Sequence, residues 1–209
     1  MIYTEEAFKK TGKAEVRGWV HEQRDLGKIR FLLLRDVTGI IQITAHKDKA
    51  KKEIFELMDK ISCESVISVA GRVEKSQKAP GGKEIIPEKI EVLSESERRL
   101  PIDVSDFSKT ELPKRLDYRF LDLHRERTQA IFKINSTILQ AYHEFMIKEN
   151  AIECIFPSII GASSEGGTEV YPVQYFEKKA LLSQSCQLYK QMLACSMEKV
   201  FAVFTVWRA

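Results

Sequence analysis

From Ala14 to Asp25 and again from Lys28 to Ala45, apolar and polar positions come in short β-branched and aromatic runs, "AEVRGWVHEQRD" and "KIRFLLLRDVTGIIQITA". The turn formers of "DLGK" and "DVTG" interrupt them, so these stretches predict strands. In "KEIFELMDKI" the rhythm changes, and Ile54, Phe55, Leu57, Met58 and Ile61 fall at helical spacing. The strand pattern then returns in "ESVISVAGRVEKS" and "EIIPEKIEVLS", with the turn "KAPGGK" between them. Strands, one helix and further strands within about 90 residues fit a small five-stranded barrel of the OB type. An SH3-like barrel suits the same strand count.

The stretch 96–117, "SERRLPIDVSDFSKTELPKRLD", is polar, holds two of the six prolines and reads as a linker or hinge. Beyond it "RERTQAIFKINSTILQAYHEFMIKEN" sets Ile131, Ile134, Ile138, Tyr142 and Phe145 on one stripe, which predicts a long amphipathic helix. "AIECIFPSII" follows as a strand interrupted by Pro157, and proline there favours an edge or a bend. "ALLSQS" predicts a strand, "QLYKQMLACSM" a short helix and "KVFAVFTVWR" a strand. No internal repeat is visible.

Composition narrows the class. Of 209 residues 44% are hydrophobic and 30% charged, the balance of a soluble globular chain. No apolar run approaches the roughly 20 residues of a membrane span. "MIYTEEAFKKTGK" lacks the apolar segment of a signal peptide, so the expected location is the cytoplasm. Cys63, Cys154, Cys186 and Cys195 are scattered, as are the four histidines, which argues for reduced thiols and against a zinc site. A net charge of +3 is too small to imply a nucleic-acid partner, so that case rests on local residues.

Three local patterns carry candidate chemistry. Phe31 stands among Arg24, Lys28, Arg30 and Arg35; an exposed aromatic beside cations can stack a base while the charges hold phosphates, whereas a core Phe31 under a solvated basic face is the plainer alternative. Glu165 precedes Gly166 and Gly167, which suits either a mobile loop closing a carboxylate over an ammonium group or an ordinary surface turn. Gln187 and Lys190, three apart, share one face if helical. An amide and an ammonium there can hold a small carboxylate, or belong to a solvated helix face.

Taken in order, "GWVHEQRDLGKIRFLLLRD", "GIIQIT", "KAPGGKEIIPEKIEVL", "RLDYRFLDL", "SSEGGTEVYPVQYF", "QSCQLYKQM" and the terminal "WRA" resemble the class II aspartyl-tRNA synthetases of the archaeal and eukaryotic type, from about residue 14 onward. The resemblance implies an α+β chain with an OB-fold anticodon-binding barrel over residues 1–95 and a hinge over 96–117. The antiparallel α/β class II catalytic domain would begin at 118 and stop incomplete at 209.

The same resemblance implies roles for single residues. Phe31 would stack on the central anticodon base, with Gln42, Arg24 and Glu84 as further anticodon contacts. The long helix and the Pro157 strand would form motif 1 and a homodimer interface. Glu165 would meet the amino group of L-aspartate. Gln187, Leu188, Tyr189 and Lys190 would line the aspartate pocket, with Lys190 on the side-chain carboxylate. Arg208 would be the motif 2 arginine that binds the ATP α-phosphate and the amino-acid carboxylate. The implied reaction is aspartyl-adenylate formation from ATP with Mg²⁺, then transfer to tRNA-Asp. His21 and Pro80 occupy the positions of the non-discriminating members, which also charge tRNA-Asn.

Departures accompany the likeness. Cys186 stands where the family usually has proline, and "VFAVFTVWRA" replaces a pattern closer to "VYEIAPIFRAE". Motif 2 is cut after Ala209 and motif 3 is absent, so the chain is expected to be a shortened form that does not aminoacylate alone. A non-catalytic tRNA-binding module and a relative of the asparaginyl-tRNA synthetases remain alternatives. Lys190 speaks against the latter, since a cation suits a carboxylate better than an amide.

Overall fold

The alternating runs of the first half pair into a closed barrel of strand order β1-β2-β3-β5-β4. Helix α1 (Thr4–Lys9) precedes β1 (Gly12–Asp25), β2 (Ile29–Arg35) and β3 (Ile40–His46); helix α2 (Lys52–Lys60) separates β3 from β4 (Val66–Lys75), and β5 (Lys83–Ser94) completes the set. The β3–β5 pair is parallel and the others are antiparallel. A five-stranded barrel of this order, with its helix between the third and fourth strands, is an OB fold and not the SH3-like alternative. The computed structural model describes residues 1–105, 109–163 and 169–207.

Period-two alternation builds the core. Leu32 and Leu34 of β2, Ile41 and Ile43 of β3, and Val16, Val20, Ile67, Val69 and Ile85 from the other strands are fully buried together. Met58, Phe55 and Ile54 of α2 pack on the same cluster. Each such side chain contributes about 1.5–3 kcal/mol on burial. Gly18 lets β1 pass close to β2, because a Cβ there would lie 2.2 Å from the Arg35 carbonyl oxygen. Just beyond it the register slips between Val20 and Glu22, which leaves His21 as the extra residue of a β-bulge.

The stretch 96–117 holds more structure than its polar composition implies. Ile102 and Val104 bury with Leu121, and Leu100 packs against them. Helix α3 (Leu112–Asp117) starts within it and is followed by the one-turn helix α4 (Arg119–Asp122). Asp122, fully buried, accepts hydrogen bonds from Arg115 Nε at 2.6 Å and Arg119 Nη1 at 2.7 Å. That accounts for the alternating charges of "RLDYRFLDL": the motif folds around one buried carboxylate.

The chain divides into two compact units, Met1–Gln129 and Ala130–Ala209. The predicted long helix is α5 (Glu126–Lys148), after which come β6 (Ile152–Glu153), β7 (Ile159–Ile160), β8 (Pro172–Tyr175), β9 (Lys178–Leu182), α6 (Gln187–Met197) and β10 (Val200–Phe201). β6 and β10 pair parallel, while β7, β9 and β8 form an antiparallel sheet. The single strand expected across Pro157 is two strands in two sheets, because a residue without an N–H cannot continue a ladder. Of the strand expected over "KVFAVFTVWR", Val200 and Phe201 are the residues that pair among those described.

Candidate functional site

β2 and β3 carry a second face outside the barrel core. Residues out of phase with Leu32, Leu34, Ile41 and Ile43 point away from the interior, and they line a cleft of about 460 Å³. Phe31, Gln42, Thr44, Glu84 and Arg24 meet there, with Pro80 at its edge. Phe31 is half-buried and outside the core cluster, so its ring lines the cleft and not the barrel interior. Strand pairing explains the convergence. Phe31 lies opposite Arg24 on β1 and opposite Thr44 on β3, and Gln42 lies opposite Glu84 on β5. Pro80 opens the turn Pro80–Gly82, where Gly81 adopts φ +72° and a Cβ would strike the Phe8 ring at 2.5 Å.

Alternation along β2 turns Arg30 to the opposite face from Phe31, whereas Arg35 shares its phase but lies four residues further along the strand. Arg24 lines the cleft and pairs with Glu22 at 2.6 Å. Arg30 turns the other way, donating to Asp25 at 2.9 Å and to the Phe55 carbonyl at 2.6 Å, with its guanidinium 4.3 Å from the Phe55 ring centre. Arg35 is buried against Glu64, its Nη2 2.9 Å from each carboxylate oxygen. A basic cluster in the sequence therefore yields one cleft-lining arginine and two structural ones.

His21 is not in the cleft. Its Nδ1 stands 2.8 Å from Arg35 Nη1, and a guanidinium can only donate, so Nδ1 is an acceptor and the ring is neutral with its proton on Nε2. Burial, and next the Arg35 charge, hold its pKa below the ordinary 6.5. The network continues to Glu64, which accepts a hydrogen bond from His124 Nδ1, and His124 packs on Trp19 with ring centres 5.1 Å apart. Burial pushes the Glu64 carboxyl up, but the His124 hydrogen bond and the Arg35 guanidinium outweigh it and leave it below its ordinary 4.5. Sequence reasoning missed Glu64 and His124; neither sits in a motif, and only folding brings residues 60 positions apart into contact.

In the second unit Gln187 and Lys190 do share one face of α6, and both line a cleft of about 520 Å³ with Phe145, Glu149, Glu198 and Lys199. Leu188 is exposed, and Tyr189 turns to stack on Phe156 at 5.8 Å, so these two lie off that face. Cys186 is buried at the start of α6. Glu165 and Arg208 lie outside the described residues. Among the described residues no group of three or more His, Cys, Asp and Glu side chains is placed to hold a metal ion. Among the same residues no helix is long and apolar enough to cross a membrane.

Known proteins share both halves. The family profile described as OB-fold nucleic acid binding domain matches residues 14–93, and that described as tRNA synthetases class II (D, K and N) matches residues 111–209. An aspartate–tRNA(Asp/Asn) ligase of Archaeoglobus fulgidus is 51% identical over 94% of this chain and 46% of its own length. An aspartate–tRNA(Asp) ligase of Pyrococcus abyssi is 48% identical over 94% of this chain and 45% of its own. The crystal structure of asparaginyl-tRNA synthetase from Pyrococcus horikoshii complexed with asparaginyl-adenylate superposes with a TM-score of 0.89 at 33% identity, covering 100% of this chain and 48% of that one. The chain thus spans about half the length of the curated relatives it matches. With an OB barrel followed by a class II catalytic-domain segment, the chain belongs to the class II tRNA synthetases of the D, K and N group.

Proposed function

We propose that this chain is the anticodon-binding barrel and first catalytic segment of an aspartate–tRNA ligase, a cytoplasmic enzyme. The observation that carries the reading is the cleft that gathers Phe31, Gln42, Glu84 and Arg24 on one outer face of the barrel. An aromatic plane beside polar side chains and a cation is the arrangement that binds splayed single-stranded bases. In the second unit Lys190 and Gln187 offer a cation and an amide to the side-chain carboxylate of L-aspartate. Glu165 and Arg208 complete the proposed amino-acid site on the strength of the sequence resemblance alone.

In the proposed reaction the α-carboxylate of aspartate attacks the α-phosphorus of ATP and pyrophosphate leaves; a ribose hydroxyl of the tRNA then attacks the aspartyl carbonyl of the adenylate and AMP leaves. This chain's part is positioning, which lowers the entropic share of the barrier.

The proposal extends to tRNA-Asn as a second substrate. Pro80, which brings no side-chain donor, lies at the edge of the cleft, and the Archaeoglobus relative is named for both tRNAs. His21, the other half of the expected pair, would act only through Arg35. The test is binding of the 209-residue chain to the anticodon stem-loops of tRNA-Asp and tRNA-Asn. Relaxed readout gives affinities within about 1 kcal/mol, less than a specific base contact. A hundredfold preference for the tRNA-Asp loop removes the tRNA-Asn extension, and no binding to either loop removes the function.

α5 supports the homodimer in the same proposal. Ile131, Ile134, Ile138, Tyr142 and Phe145 are 40–60% exposed, an apolar stripe of the kind that marks an interface. Ile138→Lys is expected to shift sedimentation from dimer toward monomer. Sedimentation unchanged by the substitution would place the contact elsewhere.

A further inference from the structure

One wall of the barrel cleft is a loop with little of its own to hold it. Ser76, Lys78 and Pro80 line that wall, and within the stretch 76–82 only Ala79 is buried. Gly81 and Gly82 adopt φ +72° and +77°, and two glycines in succession leave the backbone more freedom than other residues would. The loop closes on itself through the Ser76 N–H, which donates to the Gly82 carbonyl at 3.0 Å, and the Gly82 N–H, which donates to the Ala79 carbonyl at 2.9 Å. From outside, the ring edge of Phe8 packs against Gly81, in the space a Cβ would fill.

Phe8 belongs to α1, and α1 is fastened at both ends. At its start the Thr4 N–H donates to Asp36 Oδ2 at 2.7 Å and the Thr4 hydroxyl to Asp36 Oδ1 at 2.8 Å. Thr4 is fully buried, and the same carboxylate shapes the β2–β3 turn by accepting the Thr38 N–H at 2.7 Å. At the far end Lys83 Nζ donates to the Lys10 carbonyl at 2.6 Å. Between these ends the fully buried Ala7 and the partly buried Phe8 seat the helix on the barrel core. A helix of six residues does not hold in water by itself, so these attachments set its position. Neither Phe8 nor Asp36 lines the cleft.

We infer that α1 is a strut between the β2–β3 turn and the loop 76–82, with Phe8 and Asp36 as positioning residues for the cleft wall. Neither touches RNA or chooses a base. Their part is to present Ser76, Lys78 and Pro80 already in place, so that the glycine pair need not be ordered at the moment of binding. The inference rests on the proposed role of the barrel in binding anticodon loops.

The test compares wild type, Phe8→Ala, Phe8→Leu and Asp36→Ala in the 209-residue chain. Its two readouts are amide hydrogen exchange and binding of the tRNA-Asp anticodon stem-loop. In Phe8→Ala the Ser76 and Gly82 amides are expected to exchange about tenfold faster or more, while those of Leu32 and Ile43 keep their protection. Stem-loop affinity is expected to fall about five- to tenfold, the size of ordering one or two side chains on binding. Phe8→Leu keeps an apolar side chain against Gly81 and is expected to stay within about threefold of wild type in affinity. Asp36→Ala acts from the other end and is expected to give the same two changes, so the test survives if Phe8→Ala folds poorly. Unchanged exchange at Ser76 and Gly82 in both alanine variants overturns the inference. So does a loss of protection that spreads evenly to Leu32 and Ile43, which would make α1 a stabiliser only, and so does faster exchange with stem-loop affinity unchanged. Wild type binding no stem-loop overturns the proposed function; the exchange readout, which needs no RNA, then decides by itself whether α1 holds the loop.

Discussion

Glu64→Ala is expected to destabilise the N-terminal unit by about 3–5 kcal/mol, the cost of breaking a buried ion pair by removing one partner. Arg35 and Glu64 have side chains only 5% and 3% exposed, so the guanidinium left behind has no access to water. The substitution also strands His124, which loses its carboxylate acceptor. Glu64 sits at φ +65°, and alanine bears the same steric cost there, so the difference reports the side chain. Urea unfolding of the two proteins measures it. Adding Arg35→Met to Glu64→Ala should recover much of the loss, since an apolar replacement of a buried pair is often close to neutral. A loss below about 1 kcal/mol in the single variant would show that the pair is solvated.

Acidity should act through the same network. The folded Glu64 carboxyl titrates below its ordinary 4.5, so its contribution is complete above that pH and is lost as pH falls through the folded value. His21, held below 6.5, is charged more readily in the unfolded chain, so stability already falls as pH drops under 6.5. The wild-type profile should therefore decline in two stages, and Glu64→Ala should make the lower one shallower, its remainder coming from Asp36 and Asp122, which are also held below their ordinary 3.8.

Phe31→Ala should weaken binding of the anticodon stem-loop by about 1–3 kcal/mol, the stacking energy of one base on one aromatic ring. Because Phe31 is only half-buried and outside the core cluster, thermal unfolding should change far less than RNA affinity. Leu32→Ala, one residue along, provides the contrast. That side chain is fully buried, and its truncation should cost about 2–5 kcal/mol of stability. RNA affinity unchanged by Phe31→Ala would assign the ring to the scaffold and not to recognition.

The neighbours Phe31 and Leu32 mark how far the sequence reaches. Alternation, turn residues and one helical run were enough to predict a small five-stranded barrel, OB or SH3-like, and motif order was enough to predict the synthetase family. These are local signals: each is written in residues a few positions apart, and backbone geometry turns them into strands and helices by itself. Gln187 and Lys190 were legible for the same reason, since three-residue spacing on a helix decides a shared face. The tertiary structure decided what pairing across the sheet brings together. Phase along β2 could not tell which side was the interior, so Phe31 stood open between core and cleft until closure of the barrel fixed it. Only closure gave Arg30 the Phe55 carbonyl as a partner, buried Arg35 against Glu64, set His21 on a bulge against Arg35, and joined Glu64 to His124. The hydrogen bonds that join Gln42 and Thr44 to Glu84 need two parallel strands whose residues lie some 40 positions apart in the chain. Such contacts arise from register, and register follows from burying one face of every strand at once, which is a property of the whole barrel and of no segment in it.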